Sequence, residues 1–208
     1  MLAVFAMGSL GNGDVDQGRR LAEAAVHHAE RSRNASALAM AGYALGWALC
    51  DEDSETAIES LSGTIELCQA GAIDAVHTPA VCQRAVLLLL DGKPTEAVRD
   101  LQWGFERSVE IGDALTIGAA TLATVAALAK SSMPEPAAVV LGTLDAVVIW
   151  SFITSAVLDV DELRAEIRRS LPAEHFDAEH ARGASMQYAE AIDFVRVSIR
   201  RLEESFQN

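Results

Sequence analysis

The sequence predicts an all-α protein, an α-solenoid of antiparallel helix pairs in a tetratricopeptide-like superhelix with C-terminal capping helices. Half of its 208 residues are hydrophobic while only 5% are aromatic, which suits closely packed helices better than a β-sheet. An apolar pattern also recurs every 40 residues, at Ala57, Ile58 and Leu61, at Ala97, Val98 and Leu101, and at Ala137, Ala138 and Leu141. This period is typical of stacked helix pairs, none of which can bury its apolar face alone.

Capping and turn residues divide the chain into helices. Asp14 with Gln17 three residues later predicts a capped helix start, and Ser132 with Glu135 predicts another. Gly112 follows an apolar helix at the position where a left-handed residue commonly ends it. The predicted helices of the array cover residues 2–10, 16–32, 36–50, 55–70, 76–91, 95–111, 114–130 and 135–148. They form about four pairs within a helical-repeat array at 1–148.

Residues 149–208 differ from the array in character. An apolar linker leads into short helices at 161–170 and 174–182 and a longer one at 186–204, and we expect this segment to pack on the array as one domain. An apolar seam runs along the last helix through Tyr188, Ile192, Val195, Ile199 and Leu202. A helix that covers the open end of the stack is the first interpretation. The alternative is a self-association seam that also uses Trp150 and Phe152 of the linker.

The acidic run DEDSE at 51–55 raises the question of a metal site. As a calcium loop it fails, because Thr56 stands where glycine is needed and Ser62 where a bidentate glutamate is needed. Acidic residues also favour the N-terminus of the helix that follows, with Ser54 as its expected cap. We therefore interpret the run as a turn between helices.

Composition also restricts the possible partners. A formal charge of −14 would repel nucleic acid and anionic membrane surfaces, so neither is an expected direct partner. The apolar stretch 137–158 contains Asp145, which disfavours a membrane span. Cys50, Cys68 and Cys82 are odd in number and lie in apolar stretches, as reduced thiols of a cytoplasmic protein do.

The motifs expected of an enzyme are not found. Gly92-Lys93 is followed by Pro94 where a phosphate loop has Ser or Thr, and His175 and His180 are five residues apart and so diverge around a helix. The carboxylates are spread over outward faces, where no environment would shift their pKa values toward catalytic use. The sequence thus predicts a non-enzymatic protein without a cofactor or a metal site.

Three phrases carry a family resemblance: ALAMAGYALGWALCDEDSETAIESL, EPAAVVLGTLDAV and SLPAEHFDAEHARGASMQYAEAI. They resemble the C-terminal tetratricopeptide-like region of actinobacterial LuxR-type transcriptional regulators and of regulatory ATPases fused to cyclase domains. The tail holds the most specific part of the pattern, at Leu171, Phe176, Ala178, Ala181, Gly183, Met186, Ala191 and Ile192. The resemblance covers nearly the whole chain and implies a helical array that senses an inducer or partner beside an ATPase core.

We therefore expect a non-catalytic protein-interaction or effector-sensing module of a cytoplasmic signalling or transcriptional regulator. Its partner would be a protein or peptide, with the ATPase portion of a larger regulator as one possibility. A concave face would bind that partner through Tyr43, Trp47, Gln83, Thr116 and Thr121. Self-association into a homodimer and small-molecule sensing are the alternatives.

Overall fold

The computed structural model describes residues 1–71, 75–147 and 158–207. Within those residues it contains eleven α-helices and no strand, so the all-α prediction is confirmed. The helices are α1 Leu2–Gly11, α2 Val15–Ser32, α3 Ala35–Leu49, α4 Ser54–Gly71, α5 His77–Leu90, α6 Pro94–Ile111, α7 Ala114–Lys130, α8 Pro134–Asp145, α9 Val160–Ser170, α10 Ala173–Ala184 and α11 Tyr188–Gln207.

The chain divides into two compact units, unit 1 at Met1–Asp91 and unit 2 at Gly92–Asn208. Unit 1 holds α1 to α5, and unit 2 holds α6 to α11. The predicted division into an array at 1–148 and a linker with capping helices at 149–208 stays a prediction, since residues 148–157 lie outside the described part of the chain.

Unit 1 is built from helices that each pack on the next, and α1 also contacts α3. Its core is rich in alanine: Ala6, Ala22, Ala39, Ala44 and Ala57 are fully buried. Small side chains let helix axes approach closely, which explains how a chain with few aromatic residues fills its interior.

Unit 2 places its C-terminal helices on the three helices that open it. Helix α10 lies along α8, α11 contacts α6, α7 and α8, and α9 contacts α7 and α8. The largest fully buried side chains of this unit are Phe105, Ile117, Leu122, Leu128, Leu141, Ile167, Ile199 and Leu202. The seam of α11 is therefore part of the core of unit 2.

Five of the eleven described helices begin at an Asp or Asn whose side-chain oxygen accepts a hydrogen bond from a backbone amide of the first turn. Asp14 accepts a hydrogen bond from the amide of Gln17 at 3.1 Å, as predicted, and Asn34, Asp113 and Asp159 cap α3, α7 and α9 in the same way. Each of these oxygens satisfies an amide that has no partner inside the helix. Gly112 ends α6 with φ of +71°, the predicted left-handed conformation.

Residues 51–53 of the DEDSE run form the turn before α4, and the cap of that helix is Asp53 instead of the predicted Ser54. The Asp53 carboxylate accepts hydrogen bonds from the amide of Thr56 at 3.0 Å and from its hydroxyl at 2.7 Å. These bonds lower the pKa of Asp53 below its ordinary value. The prediction of Ser54 failed because both Asp and Ser can cap a helix, and α4 begins one residue earlier than predicted, at Ser54.

The predicted capping box at Ser132 does not form. Ser132 has φ of +56°, and α8 begins at Pro134 with Met133 before it and no side-chain cap. Pro134 and Pro136 carry no amide hydrogen, and the Met133 amide donates to the carbonyl oxygen of Leu128 at 2.9 Å. The two prolines thus remove most of the amides that a capping side chain would serve.

Candidate partner-binding surface

The aromatic residues predicted for the concave face lie within the packing of unit 1. Tyr43 is buried, and its ring centroid lies 6.3 Å from that of Trp47. Trp47 is partly buried against the core formed by α1, α2 and α3, close to Gly11. Gln83 is half-buried on α5. Core packing accounts for both aromatic side chains.

Thr116 and Thr121 lie in unit 2, so the five predicted residues are divided between the two units. Thr121 is fully buried, and its hydroxyl donates to the carbonyl oxygen of Ile117 at 2.7 Å. Thr116 is buried as well, and its hydroxyl donates to the Asp113 carboxylate that caps α7. A partner could reach neither hydroxyl without displacing these contacts.

The residues predicted for self-association have a different placement. Ile192, Val195, Ile199 and Leu202 are buried in unit 2, whose helices α6, α7 and α8 contact α11. Tyr188 is 58% exposed. Trp150 and Phe152 lie outside the described residues. The apolar side chains of α11 are therefore covered by α6, α7 and α8 of the same chain.

The polar face of α6 carries an exposed tryptophan that the sequence reasoning missed. Trp103 is 41% exposed and lies beside a shallow hollow of about 370 Å³. The hollow is lined by Arg99, Gln102, Trp103, Glu106, Arg107 and Glu110. A sequence signal was present, because Trp103 falls off the stripe of α6 that Leu101 and Phe105 bury.

Ion pairs fix one side of this surface. Arg196 of α11 donates to both carboxylate oxygens of Glu106, at 2.6 and 2.9 Å, and Arg107 donates to Glu110 at 3.2 Å. A bidentate pair of this kind also fixes α11 on α6. Arg99 is exposed, and none of the described carboxylates pairs with it. Its guanidinium is therefore available to an external carboxylate.

The three cysteine side chains lie in the packed interior. All three cysteines are buried and form no disulfide. Burial, together with the neighbouring Asp51 carboxylate, raises the pKa of Cys50 to about 12. This thiol stays protonated at neutral pH, so it is a poor nucleophile and a poor metal ligand.

Metal sites, membrane spans and similarity to known proteins were the remaining questions. Among the described residues, no three His, Cys, Asp or Glu side chains are grouped closely enough to hold a metal ion. None of the helices in the described ranges has the length and apolar character needed to cross a bilayer. Comparisons of the chain with protein-family models, with curated proteins and with solved structures found no match.

Proposed function

We propose that the chain is a non-catalytic protein-interaction module of a cytoplasmic signalling or transcriptional regulator, and that its partner binds the face of α6 around Trp103. The observation that supports this is a partly exposed tryptophan one helical turn from each of two arginines, Arg99 and Arg107. Tryptophan and arginine are the residue types most enriched among the energetic centres of protein interfaces. In this proposal the helix pairs form a tetratricopeptide-like superhelix, in line with the 40-residue repeat.

Trp103 would supply the apolar part of the binding energy. With 41% of the side chain exposed, about 100 Å² remains to be buried, which corresponds to about 2.5 kcal/mol. Glu106 and Arg107 are held by ion pairs of their own, so little conformational freedom is lost there on binding.

Arg99 would supply the specificity. It lies four residues before Trp103 on α6, so the two side chains are neighbours on the helix surface. The expected partner is a peptide segment that places an apolar side chain on the indole ring and a carboxylate on the guanidinium about one turn away. A segment of the ATPase portion of a larger regulator is one such partner, as the family resemblance implies.

The proposal can be tested by selecting peptides from a random display library on the full chain. We expect the selected peptides to combine an apolar or aromatic residue with Asp or Glu. Trp103→Ala should weaken their binding by at least about 10-fold, and Arg99→Ala should weaken the acidic ones. Leu115→Ala is the control, because Leu115 is 45% exposed on α7 and lies outside the lining of the hollow.

The melting temperature and the circular dichroism spectrum of each variant report whether it is folded. Selection of no peptide by the wild-type chain would contradict the proposal. So would peptides that bind folded Trp103→Ala as tightly as wild type.

A further inference from the structure

We propose that unit 2 contains a binding site for a small organic carboxylate, in a hollow beside Ser132. This inference goes beyond the proposed partner surface and does not depend on Trp103. The hollow has a volume of about 670 Å³, within the range typical of small-molecule sites. It is lined by Ser132, Met133, Pro134, Glu135, Pro136, Leu171, Arg201, Glu204 and Ser205.

Three parts of unit 2 converge on the hollow and supply complementary chemistry. The α7–α8 turn and the first turn of α8 contribute Met133, Pro134 and Pro136, and Leu171 follows α9, so these walls are apolar. Arg201 and Ser205 come from the C-terminal part of α11. Apolar walls with a few convergent polar groups are the usual composition of a small-molecule site.

Arg201 is the cationic side chain of the hollow, and it is the group that can bind an anionic ligand there. Among the described residues, no carboxylate pairs with Arg201, and its guanidinium can bind a carboxylate through two parallel hydrogen bonds. Glu135 lies 3.6 Å from Nε2 of His175, and Glu204 has an interaction within the chain, so both carboxylates already have partners. A second hollow, of about 580 Å³, shares Ser132 and Pro134 with the first and adds one cation and one carboxylate, Lys130 and Glu166.

Ser132 gives a second, independent argument. Its turn, Ser131 to Pro134, lies 40 residues after the turn from Asp91 to Pro94, and the position of Ser132 corresponds to that of Gly92. Both residues are left-handed, with φ of +56° at Ser132 and +73° at Gly92. Glycine adopts this conformation without steric strain, whereas serine does not.

The left-handed conformation of Ser132 motivates the hypothesis that its side chain has a role. Ser132 lines both hollows, so its hydroxyl is placed to donate a hydrogen bond to an anion there. The geometry thus points to a ligand whose carboxylate contacts Arg201 and Ser132 while its apolar body lies on the proline, methionine and leucine side chains.

The first experiment titrates the full chain with phenylacetate and, separately, with the neutral compound benzyl alcohol, monitored by calorimetry and by the backbone amide spectrum. We expect phenylacetate to bind with a Kd on the order of 1 mM and to shift the amides of the α7–α8 turn. Benzyl alcohol should bind at least about 10-fold more weakly, because it cannot pair with Arg201.

Two variants with matched controls separate binding from folding. Arg201→Gln should weaken phenylacetate binding by about 10-fold, while Arg200→Gln, at the exposed neighbouring position, should leave it unchanged. Ser132→Gly should raise the melting temperature through relief of strain and yet weaken binding. Arg33→Gly relieves the same kind of strain at φ of +53° directly after α2, so it should raise the melting temperature without affecting binding.

The proposal is overturned if phenylacetate shows no saturable binding, or if Arg201→Gln and Arg200→Gln weaken it equally. If Ser132→Gly bound phenylacetate as tightly as wild type, the Ser132 hydroxyl would have no role in binding. The proposed site, in which both Arg201 and Ser132 contact the carboxylate, would then be wrong.

Discussion

The α3–α4 contact of unit 1 and the α8–α10 contact of unit 2 both form over glycines, but the glycines face different neighbours. A Cβ added at Gly42 or Gly46 of α3 would meet side-chain atoms of α4, Oγ1 of Thr64 at 2.5 Å or Cγ of Leu61 at 2.7 Å. A Cβ at Gly142 of α8 or Gly183 of α10 would overlap backbone carbonyl oxygens of the facing helix. Side chains can shift and backbones of packed helices cannot, so glycine is required more strictly at the α8–α10 contact.

The two contacts also differ in charge. Across α3–α4 the hydroxyl of Ser60 donates to the carbonyl oxygen of Gly42 at 2.9 Å, a neutral bond. At the end of α8, the Asp145 carboxylate accepts two hydrogen bonds from Arg164 of α9, at 2.7 and 3.0 Å, and lies 2.7 Å from Nε2 of His180 of α10. Only the second contact should therefore depend on pH.

The largest effect is expected for Gly183→Ala. Its methyl group would overlap the carbonyl oxygen of Val139, so the two helices must separate, at a cost of about 3 kcal/mol in the free energy of unfolding. Denaturant unfolding measures this loss. Gly63→Ala on α4 is the control, because nothing lies within 4 Å of its added Cβ and it should gain up to about 1 kcal/mol. A Gly183→Ala protein as stable as wild type would show that this contact is looser than described.

A smaller loss is expected for Gly46→Ala. Leu61 is fully buried, but its side chain can adjust by a rotamer change, so we expect about 1 to 2 kcal/mol by the same measurement. The comparison between the two contacts fails if Gly46→Ala is as damaging as Gly183→Ala.

The smallest effect, and the one that depends on pH, is expected for Asp145→Asn. Partial burial raises the pKa of Asp145, but hydrogen bonds and charge interactions with Arg164 and His180 outweigh it, and the net pKa is lowered. A lowered pKa in the folded state stabilises the fold above the unfolded value near 3.9, and that stabilisation is lost as pH falls through the folded value.

We therefore expect Asp145→Asn to cost about 1 kcal/mol at pH 7, since these side chains are partly exposed. The difference from wild type should shrink below about pH 4. Urea unfolding at a series of pH values provides the test, with Ser60→Ala as the variant whose loss should not change with pH. A constant difference for Asp145→Asn across that series would exclude the charge contribution.

Helix packing explains several residues of the sequence phrase SLPAEHFDAEHARGASMQYAEAI, on which the family resemblance depends most. Within it, Phe176 is buried, Gly183 forms the close contact with α8, and Ile192 is in the core of unit 2. These three residues of the pattern maintain the packing of α10 and α11. They are therefore not direct evidence of a ligand site.

The candidate surface was harder to predict than the fold. Trp47 lies in α3, which has no charged residue, and packs against a core, whereas Trp103 lies in the amphipathic α6 and is partly exposed. The prediction from the sequence placed Trp47, and not Trp103, on the binding face. The apolar stripe of α6 places Trp103 off its buried face, but the helices that pack around each tryptophan are not contained in any local pattern.

Local residue patterns predicted the helices and many of their ends, because the cap at Asp14, the left-handed Gly112 and the prolines at helix starts act over one or two turns of chain. The packing of the helices places the seam of α11 inside unit 2, sets Gly183 against the backbone of α8, and makes Ser132 part of the lining of a hollow. Each of these outcomes depends on contacts between residues distant in sequence. Local residue patterns predict which side chains prefer burial, but they do not predict what each will be buried against.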